Sequence, residues 1–173
     1  MGTVGGNLFA PIPYGDFTVA LLALDATVAI AGGFGARDVP IEEFLQARDR
    51  QAGTLVLSVS CTRPASSEAF RYRKIARIKP KGGSVITLAA HLPISGGRIA
   101  GARIALGSMA PTQIRARAAE RALEGRSLDA ATIAAAASAA TEGTSPADNA
   151  LGSAWYRREI VGVHLRRLLS GQE

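Results

Sequence analysis

The chain of 173 residues is 47% hydrophobic and 20% charged, enough for one substantial core or two small ones. Its 20 Lys and Arg outnumber 14 Asp and Glu, for a net charge of +6; the bases fall in two clusters, 71–81 and 157–167, without zinc-finger spacing or an aromatic RNA-binding signature, which ranks nucleic-acid binding last and suits a subunit contact or an anionic cofactor. The single cysteine, Cys61, excludes an internal disulfide, and a cluster needing four thiolates would have to sit on another polypeptide.

Membrane insertion is disfavoured too. The apolar stretch 18–33 carries Asp25 in its middle, at a cost of about 2.5 to 3.5 kcal/mol at a bilayer centre. No charged start precedes an apolar core, so no secretory signal is read and a cytoplasmic location is expected. With only 5% aromatic residues, the core is expected to be built from Val, Ile, Leu and closely packed Ala-rich helices.

In chain order, residues 17–24 read as a short helix and 26–31 as a buried strand. Gly32, Gly33 and Gly35 supply a turn, 36–41 the return strand and 41–46 a short helix. Gly32-Gly33-Phe34-Gly35 is unconvincing as a phosphate loop, because no helix opens directly behind it to offer its N-terminal dipole; turn chemistry is its expected role. Residues 54–61 alternate weakly, carry three β-branched residues and read as a strand ending at Cys61, expected to be an inert small hydrophobe. The small, polar, proline-bearing stretch 64–67 places a domain boundary.

The second part opens with 69–78 and continues with strand segments at 84–92, 98–99 and 102–106, the chain turning at Gly96-Gly97. Helices are expected over 114–124, stopped by Gly125 as a left-handed cap, and over 128–141, from an N-cap at Ser127 to Gly143. Ser153 can cap a last helix. In it Val161, Leu165 and Leu168 form one apolar line and Tyr156, Ile160 and Val163 another, so neighbours should bury most of its circumference.

The densest chemistry stands near the start. Thr3-Val4-Gly5-Gly6-Asn7 places two adjacent glycines where backbone N–H groups can come close to a diphosphate, with no Cβ in the way. Asp16 follows nine positions after Asn7, and its carboxylate can accept hydroxyl protons. Taken alone, a double glycine here also reads as flexible coil. Elsewhere candidates are thin. His91 and His164 lie far apart in apolar settings and read as satisfied histidines, and Asp38, Glu42 and Glu43 read as a charge cluster at a helix start. There is no nucleophile elbow and no metal-ligand spacing.

Thr3-Val4-Gly5-Gly6-Asn7, Asp16 and Leu21-Leu22-Ala23-Leu24-Asp25-Ala26 resemble the second flavin-binding stretch of the FAD-binding medium subunits of molybdenum hydroxylases, the family of the carbon monoxide, xanthine and nicotinate dehydrogenase flavoproteins. Ala102-Arg103-Ile104-Ala105-Leu106-Gly107-Ser108-Met109-Ala110-Pro111-Thr112 with Arg115-Ala116 resembles the hairpin and helix start of that family's C-terminal domain, and Ser153-Ala154-Trp155-Tyr156-Arg157-Arg158 its last helix. Order and spacing match over nearly the whole chain. The resemblance implies an α+β fold: a partial FAD-binding subdomain of the PCMH type over residues 1–63, its first subdomain missing, then over 68–171 a CO dehydrogenase flavoprotein C-terminal-like domain with an antiparallel three-stranded sheet and a three-helix bundle.

It also implies an electron-transfer component that is no enzyme alone, with FAD as cofactor and with the molybdenum cofactor and [2Fe-2S] clusters on partner chains, an iron–sulfur small subunit and a molybdopterin-binding large subunit. Through it, Thr3, Gly5, Gly6 and Asn7 line the diphosphate and Asp16 contacts the hydroxyl-bearing part of the cofactor. Val56 and Leu57 fall near the ring. Either Arg73 or Lys74 supplies a cation beside the isoalloxazine, where it would stabilise the reduced, anionic ring; a solvated basic strand edge is the other reading of those two.

The chain also departs from the family pattern. A preceding domain with an Ala-Gly-Gly-x-Ser loop, which grips the same diphosphate from the other side, has no counterpart here, so the isolated chain is expected to hold FAD poorly. Lys79-Pro80-Lys81-Gly82-Gly83 stands where an acidic residue is usual, and Asn149-Ala150-Leu151-Gly152 lacks the usual arginine. The alternative is a cofactor-free module that docks on the other hydroxylase subunits. Substrate choice would belong to the molybdenum subunit.

Overall fold

A computed structural model describes residues 3–11, 14–33, 35–50, 53–78 and 82–172, the side chain of Arg50 excepted. Phe34 of the glycine turn and Lys79-Pro80-Lys81 of the basic stretch lie outside these residues. The short α1 (Val4–Leu8) leads to α2 (Asp16–Ala23), which is entered through Gly15. Only glycine suits that position, since its φ is +89° and a Cβ would meet Gln113 Nε2 at 2.8 Å and Asn7 O at 3.3 Å.

β1 (Thr27–Gly32) and β2 (Gly35–Pro40) form the expected hairpin, with Gly32 opposite Gly35. After α3 (Ile41–Ala47), β3 (Leu55–Ser60) pairs with the other edge of β1, giving the order β2-β1-β3. Val28, Ile30 and Val39 alternate onto the face that packs on Leu8, Leu21, Leu22, Ile41 and Phe44. Cys61 is exposed rather than packed, because the strand ends at Ser60 and the chain leaves the sheet there.

The second part carries β4 (Phe70–Ala76), β5 (Ser84–His91), the short hairpin of β6 (Ile94–Ser95) and β7 (Arg98–Ile99), then β8 (Arg103–Gly107) and β9 (Ile114–Arg115). The sheet runs β4-β5-β8-β9, antiparallel throughout. Of the expected segments, 69–78, 84–92 and 102–106 give β4, β5 and β8 of this sheet, whereas 98–99 is β7 of the separate β6–β7 hairpin, and β9 adds a two-residue fourth strand at the edge.

That edge splits the helix expected over 114–124. Ile114 pairs with Leu106 and Arg115 with Ala105, and the Ala116 N–H donates to Ile104 O before α4 (Arg117–Leu123) begins. Backbone groups of β8 that would otherwise lack partners are satisfied this way. Gly125 is left-handed at φ +69°, but it follows an extended Glu124 and donates to Ile99 O, so it ties the helix end to β7 instead of capping α4.

For α5 (Ala130–Ser138) the N-cap is Asp129, not Ser127. The Asp129 carboxylate accepts the Thr132 N–H at 2.8 Å, and the Ser127 hydroxyl donates to it at 2.7 Å, buttressing the cap from outside. Ser153 caps α6 (Ala154–Leu169) as expected. Of its two apolar lines only Val161, Leu165 and Leu168 are buried; Tyr156 and Val163 are 43% and 50% exposed. The sheet and α5 cover one side of α6; Tyr156 and Val163 lie on its outer side, while Ile160 is half-buried against the core.

β5 is buried on both faces. Ile86, Leu88 and Ala90 join the core under α4, α5 and α6 with Ile104, Leu106, Val161 and Leu165, whereas Ala89 and Ala105 belong to the first core, beneath α2. Contact is close enough that a Cβ on Gly107 would sit 2.8 Å from Val19 Cγ2. The two cores therefore meet back to back across β5 and β8.

Candidate functional site

Thr3 is the N-cap of α1. Its hydroxyl oxygen accepts the Gly6 N–H and its carbonyl the Asn7 N–H, each at 3.0 Å. The N–H groups of Val4 and Gly5, as first-turn donors, have no acceptor inside the helix. The two glycines do different jobs: a Cβ on Gly6 would lie 2.9 Å from Thr3 Oγ1 and spoil the cap, whereas a Cβ on Gly5 would meet nothing within 4 Å. Gly5 thus leaves the amides open to a ligand on an exposed turn.

Asn7 turns the other way. Its side-chain oxygen accepts the Thr18 N–H at 3.0 Å and the Thr18 hydroxyl at 3.1 Å, and its carbonyl lies 3.0 Å from the same hydroxyl. It fastens α1 to the first turn of α2 and is not presented with the open amides. Arg48, missed in the sequence for want of any local signal, is buried and donates to Leu8 O and Ala10 O at 3.4 and 3.2 Å, holding the segment after α1.

Strand parity on β4 separates the two candidate cations. Arg71 and Arg73 face the end of α6: Arg71 donates to Leu168 O at 3.2 Å and to Leu169 O, and Arg73 donates to Gln172 O. Tyr72 and Lys74 face α2. Lys74 Nζ lies 2.8 Å from Asp16 Oδ2, and Asp16 Oδ1 accepts the hydroxyls of Ser84 at 2.6 Å and Thr87 at 2.8 Å. The carboxylate also sits in the first turn of α2, where the helix dipole favours it.

Tyr72 belongs to the same cluster. Burial, and then the Asp16 charge, push its phenol up from the ordinary value, while a hydrogen-bonding contact with Thr87 works the other way. The residue is 41% exposed overall, and with its phenol pushed up Tyr72 is neutral at physiological pH. Thr87 lies directly opposite Lys74 in the β4–β5 ladder, a pairing that only the strand register reveals.

Val56 and Leu57 stay on β3. Val56 pairs with Ile30 and packs on the first core, while Leu57 sits at a bulge, since Ala29 pairs with Ser58 and Ile30 with Val56, and it is 54% exposed. The histidines are not satisfied as expected: Nδ1 of His91 and of His164 is buried with no hydrogen-bond partner. Burial first, then Arg103, pushes His91 down, and burial, then Arg167 and Arg73, does so for His164. Glu42 pairs with Arg117 at 2.5 Å in the first turn of α3, and Asp38 and Glu43 are exposed. An open groove of about 580 Å³ runs beside Arg71, Ile133, Arg166 and Leu169, on the face of β4 away from Asp16. Among the described residues no three His, Cys, Asp or Glu side chains are placed to hold a metal, and no helix is long and apolar enough to cross a membrane.

Residues 1–61 match the FAD binding domain in molybdopterin dehydrogenase, and residues 71–171, over half the chain, match the CO dehydrogenase flavoprotein C-terminal domain. The chain belongs to the FAD-binding subunits of the molybdenum hydroxylases. It is 33% identical to the carbon monoxide dehydrogenase medium chain of Afipia carboxidovorans over 172 residues, 96% of this chain and 59% of that one. It is 28% identical to the glyceraldehyde dehydrogenase medium chain of Sulfolobus acidocaldarius over 94% of its own length and 58% of the relative. Among solved structures, reconstituted CO dehydrogenase from Oligotropha carboxidovorans superposes with a TM-score of 0.83 at 30% identity, and quinoline 2-oxidoreductase from Pseudomonas putida 86 with 0.81 at 31%, each covering 98% of this chain and 60% of the other. This FAD-binding subunit chain therefore spans about 60% of the length of the relatives it matches.

Proposed function

We propose that the chain works as the electron-transfer component of a molybdenum hydroxylase, with electrons passing from iron–sulfur clusters through FAD to an external acceptor. An iron–sulfur small subunit and a molybdopterin-binding large subunit would be its partners, in the cytoplasm. Residues 1–63 would be the second FAD-binding subdomain and 68–171 the C-terminal-like domain. The observation that carries this reading is the Lys74–Asp16 pair, which joins the two matched regions at 2.8 Å in the part of the molecule that also holds the open α1 amides.

The residues present fit such a group, since the position a Cβ would take on Gly5 is empty and the Thr3 hydroxyl, which accepts from Gly6, keeps its own proton to donate. Bound FAD supplies the redox chemistry, taking up electrons and passing them on. The chain's own groups bind and orient. Val4 and Gly5 N–H and the Thr3 hydroxyl would hold the diphosphate, with Gly6 making room for the cap and Asn7 anchoring the turn to α2. Lys74 would present its cation to the flavin within reach of Asp16, and Val56 and Leu57 would offer an apolar edge. Arg73, committed to the end of α6, has no part.

The test is composition. Affinity purification of the tagged chain from its native cells should yield a complex with one FAD per copy of this chain, together with molybdenum and iron, by flavin chromatography and metal analysis. A complex that carries molybdenum and iron but no flavin on this chain would make it a docking module only; recovery of the chain without either metal would end the proposal.

A further inference from the structure

We propose that the groove between the start of α5 and the end of α6 binds a medium-chain aliphatic carboxylate, its head held by Arg71 and Arg166 and its tail lying along α5. The site goes beyond the flavin reading, because the groove is on the face of β4 away from Asp16. Its volume of about 580 Å³ is in the range that takes a small organic molecule. The lining is of two kinds. β4 and the end of α6 supply Arg71, Arg166 and Ser170, whereas the start of α5 and the residues leading into it supply Leu128, Ile133 and Ala134.

Arg71 is fixed before any ligand arrives, since its Nε donates to Glu68 O at 3.5 Å and its Nη1 to Leu168 O at 3.2 Å and to Leu169 O. Among the described residues its Nη2 has no acceptor, so two N–H groups remain to give. Arg166 is exposed, and none of its five donors makes a hydrogen bond or ion pair among the described residues. Planar forks of this kind match the two oxygens of a carboxylate. The described lining contains no Asp or Glu to occupy them, and Asp129, beside Leu128, is committed to the α5 cap. Cations suit a helix C-terminus, which accounts for Arg71 and Arg73 but not for Arg166, because Arg166 donates to none of the last carbonyls of α6. Arg73 and Arg167 add to the positive field that, together with burial, lowers His164. Leu128, Ile133 and Ala134 are aliphatic and the described lining has no aromatic ring, so the floor fits an alkyl chain, each buried methylene of which strengthens binding.

The test titrates octanoate, isotope-labelled at its carboxyl carbon, into the full chain and follows that carbon by NMR, with acetate and octanol as competitors. The carboxyl signal should shift saturably, and acetate and octanol should each displace octanoate only at roughly tenfold higher concentration or more. Arg166→Gln removes an exposed side chain without described partners, so the fold is kept, and octanoate should bind roughly tenfold more weakly. Ala134→Leu fills the floor and should weaken octanoate while sparing butanoate. Octanol binding as well as octanoate would leave only an apolar slot, and acetate binding as well would leave only a cationic surface. Either result overturns the proposal, as does an Arg166→Gln variant that binds octanoate like the wild type, or the absence of any saturable shift. None of these outcomes bears on FAD, which is read from the composition of the complex.

Discussion

Replacing Arg157 with methionine should loosen the junction between the sheet and the last helix more than any other single change to one side chain described above. Arg157 is fully buried, and its guanidinium donates from Nε to Val85 O at 2.9 Å, from Nη1 to Ala147 O and Gly152 O at 2.6 Å each, and from Nη2 to Asn149 Oδ1 at 2.7 Å. Burial lowers its pKa, an effect that neighbouring Asp148 opposes. Methionine fills much of the volume but withdraws the guanidinium from four acceptors, of which Gly152 O keeps the Asn149 N–H and Asn149 Oδ1 the Leu151 N–H. The three in the 147–152 loop can recover water, whereas Val85 O, beneath the helix, cannot.

Allowing for the relief of desolvating the cation, the loss is about 3 to 5 kcal/mol, roughly a fifth or more of the stability of a typical domain. Arg157→Lys keeps the charge but not the planar fork, and should lose about 2 kcal/mol. Urea unfolding followed by circular dichroism at neutral pH reads both. An Arg157→Met variant within about 1 kcal/mol of wild type would refute the reasoning. The effect should also travel: a Cβ on Gly83 would lie only 2.7 Å from Leu151 Cδ1, so the loop abuts the residue before Ser84, which donates to Asp16.

Other consequences are as definite. Gly107→Ala forces α2 away from β8, because the new methyl would lie 2.8 Å from Val19 Cγ2 and 3.2 Å from Thr87 Cβ; a loss of about 1 to 3 kcal/mol is expected, partly restored by adding Val19→Ala, as thermal unfolding will show. The Tyr72 pKa is raised in the folded chain, so its contribution to stability is whole below the unfolded value of 10.0 and is lost as pH rises beyond it. Tyr72→Phe should flatten the decline in urea midpoint between about pH 9 and 11, and an unchanged slope would count against the desolvated phenol. His91 and His164 are depressed in the folded chain, so the unfolded chain takes up protons first and stability falls as pH drops below the ordinary 6.5. His164→Gln should lessen the fall in melting temperature from neutral to mildly acid pH; an identical fall would mean that the ring titrates as it does in solvent.

What can be read from the chain follows the range of the forces involved. The β1–β2 hairpin, β3, β5 and the cap at Ser153 rest on residues a few positions apart, and local turn and capping chemistry is visible in any sequence. β9 is not legible, because two residues become a strand only when the edge of β8 is there to receive them. The inward turn of Asn7 depends on Thr18, eleven residues away, and outwardly it is one polar residue beside two glycines. Asp16 and Lys74 each stand out as charges. Their meeting, and the exclusion of Arg73, depend on which face of β4 looks toward α2, and on a partner in Thr87 that lies 71 residues from Asp16. A shift of one residue exchanges the two cations, which is why pattern alone left both in play.

The most direct measurement is a cryo-EM map of the flavin-loaded complex isolated through this chain. The N–H groups of Val4 and Gly5 should lie within hydrogen-bond distance of the FAD diphosphate, with Lys74 on the flavin side of Asp16 and the Asp16 carboxylate still held by Ser84 and Thr87. Flavin density seated away from α1, with those amides facing only water, would contradict the site.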